Sequence, residues 1–137
     1  MQAISLFKTH YIIIAFFCFA FSNAQTAASI KEIKDNYQTC LNQADFMLGC
    51  SYDYYNKADS LLNVVYNKVR IRLKPDQREQ FRKEQLKWLK KRDARFKKIR
   101  KRNLGEGGLV RDDQKMMVAD EQAEFIFQRV EELMKRL

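Results

Sequence analysis

Ala58-Asp59-Ser60-Leu61-Leu62-Asn63-Val64-Val65-Tyr66 and Gln85-Leu86-Lys87-Trp88-Leu89-Lys90-Lys91-Arg92-Asp93 stand on either side of Pro75, the one proline of the chain. Asp59, Leu62, Asn63 and Tyr66 fall at i, i+3, i+4 and i+7, so they share one face of a helix. Gln85, Trp88, Leu89 and Arg92 repeat the pattern. Pro75 lacks an N–H and disfavours helical geometry at Lys74, but it suits the first turn of a new helix. The reading is an antiparallel helix pair with its corner at residues 74–76. Asp59 lies 16 residues before Pro75 and Arg92 lies 17 after it. Asn63 and Trp88 are offset by 12 and 13, Tyr66 and Gln85 by 9 and 10. A rise of about 1.5 Å per residue puts matched offsets at one height. Asp59 and Arg92 are therefore expected to form a buried, bidentate pair between the helices.

Apolar periodicity extends this pair to an all-α bundle of about four helices. The first is expected from about Thr26 to Ala44, with Ile30, Ile33, Tyr37, Cys40, Leu41 and Ala44 in one stripe. The second runs from about Ser51 to Leu73, and the third from about Asp76 to Arg102 with Phe81, Trp88, Leu89, Phe96 and Ile99 inward. The fourth runs from about Asp113 to Arg136 and buries Ala119, Ala123, Ile126, Val130, Leu133 and Leu137. Gly49 marks the first break. The longest connection, 103–112, holds three of the four glycines. Tyr52, Tyr54 and Tyr55 suit packing on a helix covered from two sides. The alternative is a set of stacking anchors for a sugar or a protein partner.

The two phrases also carry a resemblance. A-D-x-x-L-N-x-x-Y followed by Q-x-x-W-L-x-x-R-D is similar to the LprI-type lysozyme-inhibitor-like domain of bacterial envelope proteins. Cys40 and Cys50, Gly107-Gly108 and Arg129-x-x-x-Leu133 fit the same pattern, which covers roughly residues 37–135. The family commonly carries a cysteine three residues after the R-D pair, where this chain has Phe96. It commonly has another after the double glycine, and none follows here. Both halves of a second disulfide are thus missing together. The resemblance implies a helical, non-catalytic domain that binds and inhibits a lysozyme or related muramidase.

The N-terminus reads as a processing signal. Lys8 precedes an apolar run of 11 residues, Tyr11 to Phe21, too short to span a bilayer as a helix. Ser22-Asn23-Ala24 supplies small residues for cleavage. The expected division is a signal peptide at 1–24 and one helical domain at 25–137, exported to the periplasm or beyond, with no transmembrane span. Cys18 is read as a discarded signal residue and not as a lipidation site, because Phe16 and Phe17 precede it where small residues are needed. Export favours disulfides. Cys40 and Cys50 are the only cysteines left, so they are expected to pair. A straight helix would separate them by about 15 Å, whereas a disulfide needs under about 7 Å. The first helix must then end near Leu41–Ala44, and 45–49 must fold back. A spacing of nine intervening residues does not suit a redox pair.

The chemistry available is narrow. The one histidine, His10, lies in the leader, so no Ser-His or Cys-His nucleophile and no histidine metal site remains. No phosphate-cradling glycine motif or EF-hand loop is present. The reading is therefore no enzyme, no cofactor and no metal.

Charge points to a surface. The mature chain holds 25 basic and 17 acidic residues, and residues 76–102 alone hold 13 against 4. Lys83, Lys87, Lys90, Lys91 and Lys98 are the candidate contacts for an anionic partner. Export argues against nucleic acid and for anionic envelope polymer or lipid. Animal lysozymes are themselves strongly basic, so an inhibitor is expected to meet one away from these lysines. Two places qualify: the acidic segment with Asp112, Asp113, Asp120 and Glu121, or the Cys40–Cys50 corner.

Overall fold

A computed structural model describes residues 29–105 and 110–137. The expected leader at 1–24, with His10 and Cys18, and the glycines at 107 and 108 lie outside the described residues. Four helices make up the described chain, and no strand occurs among the described residues. Helix α1 covers residues 29–43, α2 is Met47–Arg72, α3 is Pro75–Leu104 and α4 is Asp112–Met134.

The α1–α2 turn is tighter than its sequence suggests. Only residues 44–46 are non-helical, and α2 starts at Met47 instead of near Ser51. Gly49 lies inside the first turn of α2, where its N–H donates to the Phe46 carbonyl at 3.3 Å. A glycine costs little there, because first-turn donors have no partners within the helix. The Cys40–Cys50 disulfide ties the end of α1 to this turn, with Cα atoms 5.8 Å apart.

Pro75 occupies the first position of α3, after an extended Lys74 at φ −64° and ψ 155°. The exposed groups at this corner are satisfied locally. The Lys74 N–H donates to Gln77 Oε1 at 3.1 Å, and Arg78 donates to the carbonyls of Leu73 and Ile71 at the end of α2. Helix α4 begins in the same way, with the Arg111 N–H on Gln114 Oε1 at 2.9 Å. Gly105 closes α3 at φ +72°, a left-handed conformation that glycine adopts without a Cβ penalty.

Helix α4 is the centre of the bundle. Its stripe of Ala119, Ala123, Ile126, Val130 and Leu133 is almost fully buried, chiefly against Ala58, Leu62, Val65 and Val69 of α2. Alanines at 58 and 123 leave room for close helix approach. Helix α3 also packs on α4, through a run of rings: Trp88 stacks on Phe125 at 5.8 Å, and Phe96 meets Phe125 edge-on at 6.3 Å. The expected two-helix interface is thus shared among three helices. Helices α2 and α3 are antiparallel at matched heights, but they meet through long side chains. Tyr55 reaches Phe96 at 6.2 Å, and Tyr66 stacks on Phe81 at 4.9 Å. No described helix is long and apolar enough to cross a membrane.

Candidate functional site

The two phrases around Pro75 line one open groove of about 270 Å³. Asp59, Leu62, Asn63 and Tyr66 enter it from α2, and Gln85, Leu89 and Arg92 from α3. Trp88 lies beneath, buried against Phe125, and Asp93 projects outward. Asn63 turns its amide onto the Asp59 carbonyl within its own helix. The groove is therefore a polar seam over an aromatic floor.

The Asp59–Arg92 expectation needs correction. Their closest approach is 4.0 Å, and their side chains keep 39% and 24% of their exposure. Arg92 instead gives Nε and Nη2 to Asp93 Oδ1, at 3.0 and 2.9 Å. Its guanidinium lies 5.7 Å from the Phe96 ring centre and 6.0 Å from that of Trp88. The height match holds, but two ring pairs lie between the helices, Tyr55 with Phe96 and Tyr66 with Phe81, and the short Asp59 side chain stays at the rim.

The buried charge lies one layer deeper, at Arg129 of α4. Its side chain is only 6% exposed. Nε and Nη2 both donate to Gln85 Oε1, at 3.2 and 3.1 Å, and Nη2 also reaches Glu84 at 2.9 Å. Nη1 bonds Glu132 at 3.0 Å, and the guanidinium lies 5.8 Å from the centre of Trp88. Glu84 additionally takes two bonds from Arg136. Burial opposes its ionisation, but the Arg136 and Arg129 hydrogen bonds outweigh this and hold its carboxyl below the usual range. Arg129 thus fastens α4 to α3 beneath the phrase that contains Gln85. A sequence signal existed: an arginine beside Ile126, Val130 and Leu133, on the apolar stripe itself.

A second polar network joins α1, α2 and α4. The Tyr37 hydroxyl donates to Asp120 Oδ2 at 2.7 Å and lies 3.0 Å from Ser51 Oγ. The Tyr54 hydroxyl bonds Glu124, which also takes Lys34 Nζ at 2.9 Å. The two tyrosine rings stack 4.3 Å apart. Burial pushes the Tyr37 hydroxyl up to about 12, with the Asp120 bond adding to the rise and the Ser51 bond opposing it. Burial, reinforced by Glu124, pushes Tyr54 up further. Tyr54 and Tyr55 are packing residues, whereas Tyr52 is 47% exposed.

The charged faces divide unequally. Lys83, Lys87, Lys90, Lys91 and Lys98 all lie exposed on α3. Lys83 approaches Glu79 at 3.9 Å, and the other four have no ion pair among the described residues. The acids of α4 are, in contrast, engaged by the fold. Asp112 pairs with Lys115, Asp113 with Arg111, and Glu121 with Arg102 and Asn103. Asp120 bonds Tyr37, and its other oxygen, Oδ1, is buried without a hydrogen-bond partner among the described residues. Among the described residues no group of His, Cys, Asp and Glu is arranged to hold a metal ion.

Residues 38–133 match the sequence model of a protein family described as lysozyme inhibitor LprI. The chain finds no match among curated proteins and none among solved structures.

Proposed function

The chain belongs to the LprI lysozyme-inhibitor family, and from that membership we propose that it is an exported, non-catalytic protein that binds and inhibits a lysozyme or related muramidase. The observation that carries the reading is the reach of the match. It covers nearly the whole described bundle, including the groove, the disulfide and the Arg129 node. The buried network supports a rigid scaffold, and a rigid scaffold lowers the ordering cost of binding. The sequence also supports export, because one disulfide and an apolar leader suit an oxidising compartment. The test is a lysis assay. Purified mature protein, from Gln25 onward, is added in increasing molar ratio to peptidoglycan and a basic animal lysozyme. Inhibition that saturates with stoichiometry is the expected result. Undiminished lysis at large molar excess, with no complex on a sizing column, rejects the reading for that enzyme.

One observation favours a second reading. Lys87, Lys90, Lys91 and Lys98 are exposed and have no ion pair among the described residues, on a helix segment that is strongly basic overall. This supports docking on anionic envelope polymer or lipid. Salt-sensitive binding to anionic vesicles, lost on reversing these lysines, is the expected signature.

A further inference from the structure

A cleft of about 570 Å³ opens where α2, α3 and the first half of α4 meet. Helical spacing builds it. Lys115, Val118, Ala119 and Gln122 fall at i, i+3, i+4 and i+7, so one face of α4 forms its base. Val118, Ala119 and the Phe96 ring from α3 are buried and make an apolar floor. From α2, Tyr55 forms a wall edge-on to Phe96, and the exposed Tyr52 stands at the mouth. The charge of this cleft differs from that of the others. Arg100 and Lys115 line it, and no carboxylate does. Asp59 lines the groove around Pro75, and Asp120, Glu121 and Glu124 line the cleft between α3 and α4.

Gln122 is the decisive residue. Among the described residues, the buried polar side chains are Ser51, Gln85, Gln122 and Arg129. Ser51 is engaged by Tyr37, and Gln85 and Arg129 engage each other. Gln122 is only 9% exposed, yet its amide makes no hydrogen bond to any described residue. Its amide atoms are not sealed in, as Asp120 Oδ1 is, so they remain reachable from the cleft that the side chain lines. Leaving a buried amide unbonded is costly, and a group of this kind calls for a partner. The cations of the cleft are similarly open. Arg100 is exposed and has no ion pair among the described residues, and Lys115 holds only the exposed Asp112, at 2.9 Å.

We propose that this cleft binds an N-acetylated sugar that carries a carboxylate, one unit of an acidic glycan. A glutamine amide offers an acceptor oxygen and two donor hydrogens, which match the N–H and C=O of an acetamido group. The acetyl methyl then has Val118 and Ala119 beneath it. The C–H face of the sugar ring suits the open Tyr52 ring, and the carboxylate suits the Arg100 guanidinium, through charge-assisted hydrogen bonds. A neutral sugar leaves both cations unused, and an acid without an acetamido group leaves Gln122 unbonded. N-acetylmuramic acid and N-acetylneuraminic acid share the required chemistry. The inference goes beyond the inhibitor reading, because contact with an enzyme alone does not call for a cleft of this kind. It is also distinct from docking through Lys87, Lys90, Lys91 and Lys98, none of which lines the cleft.

The test is a titration of nitrogen-labelled mature protein, followed through its backbone and side-chain amide signals by NMR. N-acetylmuramic acid and N-acetylneuraminic acid are the probes, and N-acetylglucosamine, which lacks the carboxylate, is the control. At least one acid is expected to shift the Gln122 side-chain amide and to bind about tenfold more tightly than the control. The tighter acid names the source of the glycan. Gln122→Leu separates a ligand role from a structural one. Its amide has no protein partner to lose, so Tm is expected to hold or rise while affinity for the acid falls about tenfold. Should this variant melt early, Arg100→Gln decides, because the position is exposed and a several-fold loss of affinity is expected there. Lys87→Gln with Lys90→Gln, on the same helix but outside the cleft, is expected to leave affinity unchanged. No binding, equal affinity for the control, shifts that spare Gln122, or a loss as large in the lysine variant overturns the site. The lysis assay tests inhibition separately, so either reading can fail while the other stands.

Discussion

Arg129→Met is expected to destabilise the bundle by about 3 kcal/mol, three times the cost of Arg92→Ala, although the sequence places Arg92 in the more prominent phrase. The magnitude follows from what each removal leaves behind. Glu84 keeps its two bonds from Arg136, and Glu132 is exposed, so neither carboxylate is stranded. Gln85 is different. It is 9% exposed, and its Oε1 loses both of its hydrogen bonds from Arg129 at once. An unsatisfied buried acceptor costs about 1–3 kcal/mol. Losing the guanidinium over Trp88, in a desolvated layer, adds about 1–2 kcal/mol. At Arg92 the Asp59 contact is long, at 4.0 Å, and remains partly open to water, a class of ion pair that contributes about 0–1 kcal/mol. The assay is urea and thermal unfolding of disulfide-intact protein, followed by circular dichroism. A cost of 3 kcal/mol lowers Tm by roughly 12 °C for a domain of this size. The decisive control is Arg129→Met combined with Gln85→Leu. Removing both partners abolishes the stranded acceptor, so much of the loss is expected to return. The reasoning fails if Arg92→Ala costs as much as Arg129→Met, or if the double variant is no more stable than the single.

Three further outcomes are expected. Mature protein alkylated without reductant takes up no label at Cys40 or Cys50, and reduction lowers stability by about 2–3 kcal/mol for a loop this short; two labels on folded protein exclude the bridge. Tyr37 and Tyr54 hold their protons more tightly folded than unfolded, so their contribution is complete below about pH 10 and is lost as pH rises through 10 to 12 and above. Tyr37→Phe with Tyr54→Phe should flatten this alkaline limb of the Tm profile, and an unchanged limb refutes the assignment. Glu84 is shifted the other way: its contribution is present above the ordinary carboxylate pKa and is lost on acidification below it. Glu84→Gln should therefore narrow the stability difference between neutral and acidic pH, whereas a difference as large as that of the wild type counts against it.

Much of the architecture was legible because it rests on periodicity and on one proline. The i, i+3, i+4, i+7 patterns, Pro75 at a helix start and the Cys40–Cys50 pair define the helices and their main staple. Boundaries moved where local spacing is a weak guide. The start of α2 moved by one turn because Gly49 is tolerated inside a first turn, and sequence alone does not distinguish that from a break. The polar pairing was legible in height but not in depth. Equal offsets from Pro75 put Asp59 opposite Arg92, yet interhelical distance depends on the rings between them, Tyr66 on Phe81 and Tyr55 on Phe96. The hydrogen-bond roles of Tyr37, Ser51 and Asp120 were hidden for another reason. They lie 83 residues apart at the extremes, and no spacing rule reaches across three helices.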